Sequence, residues 1–139
     1  MVVRRTSLRD VGGFDERLGP GSAFFGAEDM DLGYRLLKAR MRLASTPDLH
    51  MVHHQWRDPA DLPRLFYSYN FGHSAFCAKH LRQGDLLPAR FFAEQVVDDA
   101  WMLASAARRR SRLVARVAAH RSRGTWAGLV AGWREFGPR

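Results

Sequence analysis

Three acids stand within four positions at Glu28-Asp29-Met30-Asp31, the stretch of this chain best suited to proton chemistry. A hydroxyl is a poor nucleophile at neutral pH, and a carboxylate positioned to take its proton as a bond forms lowers the barrier. The same acids also suit the first turn of a helix, whose dipole favours negative charge, so both readings stand. Asp29-Met30-Asp31 spells D-x-D, a metal-holding pattern, but at a helix start Asp31 faces away from Asp29, and hard divalent cations want several oxygen ligands. His50, His54, His73, His80 and His120 read as hydrogen-bonded structural histidines. For His53 a structural role and a metal role are both open. Gly12, Gly13, Gly19 and Gly21 can supply positive φ or close backbone approach in a loop that folds over a ligand, or can serve ordinary turns. Phe24 and Phe25 offer either an apolar platform or core.

The elements that must position these groups change in texture near Arg57. Before it, glycine-rich turns separate short elements: a β-branched strand over Met1 to Arg5, a turn at Val11 to Glu16 and a mobile loop at Leu18 to Ser22. Asp29 to Arg40 is predicted to be a helix, with acids first, Leu32 and Leu36 one turn apart, and Lys38 and Arg40 last. Met41 to Thr46 reads as a strand, Pro47-Asp48 as a turn, and Leu49 to His54 as a second extended segment. After Asp58, an N-cap with Pro59 in the first turn, the spacing of Leu62, Leu65, Phe66, Tyr69, Phe76 and His80 predicts a helix that ends by Gly84. Further helices are drawn over Pro88 to Ala107, Ser111 to His120 and Thr125 to Phe136, with Gly124 separating the last two.

The chain has 139 residues, 46% of them hydrophobic, which suits one folded domain with an appendage. Its single cysteine, Cys77, cannot form an intrachain disulfide, so stability must come from packing. No uncharged apolar run approaches the roughly 20 residues needed to cross a bilayer. The formal charge of +8 is concentrated at the end, where Arg108 to Arg139 holds nine arginines and one acid, Glu135. Such a tail attracts phosphates of any origin, from nucleic acid to anionic lipid. Trp126, Leu129, Val130 and Trp133 share one helical face with Arg121, Arg123 and Arg134 nearby, the composition of an interfacial helix, although amphipathic faces are most often core faces.

Three segments occur in order: Val11-Gly12-Gly13-Phe14-Asp15-Glu16, then Phe25-Gly26-Ala27-Glu28-Asp29-Met30-Asp31-Leu32, then Pro47 with His53 six residues later. Together they resemble family 2 glycosyltransferases of the GT-A fold, over about residues 1 to 57. That resemblance implies an α/β fold: 1–57 as the acceptor-side, C-terminal portion of a GT-A (Rossmann-like) catalytic domain, and 58–139 as a helical extension. It implies transfer of a sugar from a nucleotide-sugar donor to a hydroxyl of a glycan or lipid-linked saccharide. Asp29 matches the family's catalytic base, Glu28 would hold the acceptor, and Gly12, Gly13, Phe25 and Gly26 belong to the substrate-binding segments. His53 matches the histidine that completes coordination of Mn or Mg in metal-dependent relatives.

A complete domain of that type begins with donor-binding strands that this sequence lacks, so a fragment is expected. The expected location is cytoplasmic, with peripheral contact at the inner face of the membrane through 108–139. The competing expectation is a noncatalytic basic module on anionic membrane or nucleic acid. It rests on tail charge alone, leaves the three ordered segments unexplained, and finds no helix-turn-helix or zinc-finger spacing to make nucleic acid a probable partner.

Overall fold

The computed structural model describes residues 2–48, 52, 54 and 57–137. Its elements are α1 (Arg5–Asp10), α2 (Glu28–Lys38), a 3-10 turn (Pro59–Asp61), α3 (Leu62–Arg82), α4 (Leu87–Arg109) and α5 (Arg112–Glu135). Among the described residues there is no strand and every regular element is a helix, which overturns the expected α/β, Rossmann-like fold. Met41 to Thr46 carries the alternating pattern of a strand but has no regular structure, and Arg4 is extended while Arg5 already begins a helix. A strand owes its stability to a neighbour that satisfies its backbone groups, and β-propensity without that neighbour builds no sheet. Val2 to Arg4 and Met41 to Ala44 border a common cavity, yet among the described residues neither segment is paired in a ladder.

Local signals explain the helices. Asp58 Oδ1 accepts from Ala60 N at 2.8 Å, and Pro59 opens the turn that leads into α3. Gly84, at φ 83°, closes α3 as the left-handed residue past its end, with Asp85 N donating to His80 O at 3.0 Å. In α2 the one-turn spacing of Leu32 and Leu36 does bury both. Among the described residues the core includes two small clusters: Leu18, Phe24, Ala75 and Phe136 in one, and Tyr34, Phe76 and Cys77 in the other. Each large apolar side chain so buried stabilises the fold by about 1.5–3 kcal/mol.

The expected break at Gly124 is absent, because α5 runs unbroken from Arg112 to Glu135. Its glycines lie on the seam against α3. A Cβ added at Gly124 would stand 2.4 Å from Tyr67 O, and one at Gly128 would stand 2.1 Å from Phe71 O. Gly132 continues the seam, where a Cβ would meet Ala75 Cα at 2.7 Å. Glycine costs a helix about 1 kcal/mol in propensity, but here it lets two helices touch backbone to backbone, and the packing outweighs the propensity. A buried polar network beside that seam ties α5 to α4. Thr125 Oγ1 donates to Asp99 Oδ2 at 2.6 Å and accepts from Gln95 Nε2 at 2.7 Å, while Arg121 Nε donates to Asp99 Oδ1 at 2.9 Å.

Candidate functional site

The acidic segment begins α2, and one buried carboxylate fixes it there. Asp31 is fully buried and accepts from Lys79 Nζ at 2.6 Å, His80 Nε2 at 2.9 Å and Arg35 Nε at 2.8 Å. Burial alone would raise its pKa, but the hydrogen bonds from His80, Lys79 and Arg35 outweigh burial and pull it down to about 2. Lys79 also reaches Asp15 Oδ2 at 2.9 Å, so one ammonium joins the acid of the first glycine turn to the acid of α2. Asp15 is held below the usual carboxylate range too, since its bonds to Arg17 and Lys79 outweigh desolvation. The Arg35 guanidinium donates to Gly13 O at 2.6 Å and to Val11 O, and so grips that turn from α2.

With Asp31 turned into the core, Asp29 is turned out. Asp29 is exposed in the first turn of α2, and its Oδ1 accepts from Met30 N at 2.8 Å. Glu28 is half-buried and lies over Gly19, where an added Cβ would touch its side chain at 3.3 Å. Both carboxylates sit at the positive end of the helix dipole. The D-x-D spacing therefore does not form a pair: one acid faces solvent and the other the core.

The segment before α2 is folded tightly on itself. Gly19 N donates to Gly26 O at 3.2 Å, Gly26 N to Phe24 O at 2.8 Å, and Ser22 Oγ to Gly19 O at 2.7 Å. Phe25 and Ala27 flank Gly26 at φ 62° and 73°, left-handed values that cost an L-residue about 1–2 kcal/mol each. Such cost is tolerated where the surroundings impose the conformation, and α3 imposes it here: a Cβ on Gly72 would stand 2.9 Å from both Phe24 O and Gly26 O. Gly12 and Gly13 have φ 80° and 76°, and a Cβ on either would meet nothing within 4 Å, so their need is for the turn itself.

Cavities border these elements. One of about 490 Å³ is lined by Gly21, Phe25, Arg57, Arg64 and Tyr69, with Arg57 Nη1 donating to Tyr69 Oη at 3.4 Å. A larger one of about 710 Å³ lies along α2 on the Met30, Gly33 and Tyr34 side and is lined opposite by His73, Glu94 and Asp98. Neither is lined by Glu28 or Asp29. The structure thus brings the first two motif segments together through Asp15, Lys79 and Asp31. His53 lies outside the described residues, and so does Trp56. Among the described residues no three His, Cys, Asp or Glu side chains gather as metal ligands.

Sequence reasoning missed Lys79 and His80 as the partners that fix α2, although His80 is the hydrogen-bonded structural histidine expected. A signal existed: Lys79 is one of only two lysines in the chain and follows Ala75-Phe76-Cys77-Ala78 on a helix, a place where a charge must be paired.

Part of the chain is related to a glycosyltransferase. Over 64 residues, 43% of this chain, it is 42% identical to the N-acetylglucosaminyl-diphospho-decaprenol L-rhamnosyltransferase of Mycobacterium tuberculosis strain CDC 1551 / Oshkosh. It is similar to the same extent to the protein of that name from strain ATCC 25618 / H37Rv. The chain spans 19% of the length of these curated relatives. No family model matches it, and no solved structure does.

Proposed function

We propose that this chain is the acceptor-side segment of a glycosyltransferase that moves a sugar from a nucleotide-sugar donor to a hydroxyl, with Asp29 as general base. The observation that carries this assignment is the exposed Asp29 carboxylate on a helix start that a buried Asp31, Lys79 and Arg35 cluster holds in place. Preorganisation of that kind is what a positioned base requires. As the acceptor oxygen bonds to the anomeric carbon of the donor, the bond from that carbon to the diphosphate oxygen breaks. The diphosphate leaves with the electron pair, and Asp29 takes the acceptor proton.

In this assignment Glu28 hydrogen-bonds the acceptor, and Gly12, Gly13, Phe25 and Gly26 belong to the substrate-facing segments. The acceptor is a glycan or a lipid-linked saccharide, and the lipid-linked class is supported by the diphospho-decaprenol in the relatives' name. Donor binding falls to elements other than those seen in these helices. A Mn or Mg ion with His53 as one ligand would neutralise the departing diphosphate; the described residues supply no ligand set for it.

Asp29→Asn in the complete enzyme tests the base. Transfer is expected to fall by roughly 100-fold or more while donor affinity stays nearly intact. An equal loss of donor affinity would make Asp29 a structural or metal-binding residue instead.

A further inference from the structure

The outer face of α5 has a composition that glycosyl transfer does not use. At 3.6 residues per turn, the side opposite the Gly124, Gly128 and Gly132 seam carries Arg112, Arg116, Arg123, Trp126, Val130, Trp133 and Arg134. Every one of these is exposed. Trp126 retains 55% of its surface, Val130 48% and Trp133 47%, so this amphipathic stripe is not a core face. No acid shares it, because Glu135 lies on the seam side, 4.0 Å from Arg17. Arg110 adopts φ 50° at the sharp junction of α4 and α5, and exposed Arg108 and Arg109 precede it. The helical hairpin therefore ends in a further group of cations.

The apolar part continues onto α4. Phe92 and Trp126 meet edge to face at 5.5 Å, and Ala89, Phe92, Leu129, Val130 and Trp133 line a groove of about 340 Å³. Arg82 lies over the Trp133 ring at 5.0 Å, a cation on the aromatic face at the groove's edge. No helix among the described residues is long and apolar enough to cross a membrane.

We propose that this α4–α5 face docks on an anionic lipid surface, with the arginines on head groups and the tryptophans at the interface. Charge complementarity chooses a polyanionic partner, and the apolar groove chooses lipid over nucleic acid. Phosphate backbones engage arginines but give Val130, Leu129 and Phe92 nothing to bury against, whereas an amphipathic face gains from burial at the boundary of head groups and acyl chains. Trp side chains, apolar in body with one N–H donor, favour that boundary. The proposal does not depend on the assignment of Asp29, and binding alone tests it.

The test is co-sedimentation of the chain with vesicles of phosphatidylcholine alone and with vesicles rich in phosphatidylglycerol at physiological salt, beside titration with duplex DNA and single-stranded RNA. Binding to the anionic vesicles is expected, with a blue shift of tryptophan emission. Combined Arg112→Glu, Arg116→Glu and Arg123→Glu should weaken it by at least roughly 100-fold, and Trp126→Ser with Trp133→Ser should remove the emission shift. Unchanged helical circular dichroism shows that each variant is folded; should the tryptophan pair unfold the chain, the exposed arginines alone decide. Nucleic-acid binding without vesicle binding overturns the proposal. So does vesicle binding that is equal on neutral lipid, or that the arginine variant leaves unchanged.

Discussion

Lys79 Nζ lies 2.6 Å from Asp31 Oδ1, and the two residues, 48 positions apart, pin the start of α2 to the C-terminal half of α3. Both side chains are almost wholly removed from solvent. An ion pair at that depth adds little net stability when intact, since desolvation offsets attraction, but removing one member leaves an uncompensated charge. Lys79→Met is therefore expected to destabilise the chain by about 3 kcal/mol. Asp31→Asn should do the same, read as a lowered denaturation midpoint with an unchanged slope.

The same carboxylate sets an acid limit. Its folded pKa is about 2 against an ordinary 3.8, so folding favours the ionised form. Stability from a depressed carboxylate is complete above the unfolded value and is lost as pH falls through the folded one, here between about pH 4 and 2. Asp85, drawn down to about 2 by Lys38 and Tyr34, acts in the same window and direction. Thermal unfolding from pH 7 to 2 should show a falling midpoint below about pH 4, and Asp31→Asn should flatten part of that fall.

Gly128→Ala should be the costliest small substitution on α5. Its new Cβ would stand 2.1 Å from Phe71 O, a backbone atom with no freedom to rotate away. Overpacking of this kind costs about 1–3 kcal/mol, occasionally more, although alanine is the better helix former. A stability equal to the parent's in urea denaturation would mean that α3 and α5 are less closely apposed.

Cys77 is fully buried, and burial pushes its thiol up to about 12. Thiolate is the reactive form. Alkylation at pH 8 should therefore be slow in the folded protein and rapid in denaturant, as mass spectrometry would record. Fast labelling under native conditions would show that the α3 core opens locally.

If His53 ligates the donor's metal, His53→Ala in the complete enzyme should raise the Mn concentration needed for half-maximal transfer while Asp29→Asn leaves that requirement alone. An unchanged requirement would remove His53 from the coordination sphere.

The sequence by itself determined α2, α3 and α4 and several of their ends, but neither α1 nor the continuity of α5. Asp58-Pro59, the acids opening α2, the Leu32 and Leu36 spacing and Gly84 act within a turn or two of themselves, and each acts in the structure as expected. It also carries a partial likeness to a glycosyltransferase, 42% identity over 64 residues. Tertiary structure decided whatever needed a partner. Met41 to Thr46 had the alternation of a strand but forms no ladder among the described residues. Gly124 read as a break until α3 came close enough to require a residue without a side chain. Helix geometry already turned Asp31 away from Asp29, but only Lys79 and His80 arriving from α3 decided that Asp31 lies in the core and Asp29 faces solvent. Propensity and capping are read over a few residues, whereas hydrogen-bond pairing, backbone contact and burial of charge depend on residues brought together from far along the chain.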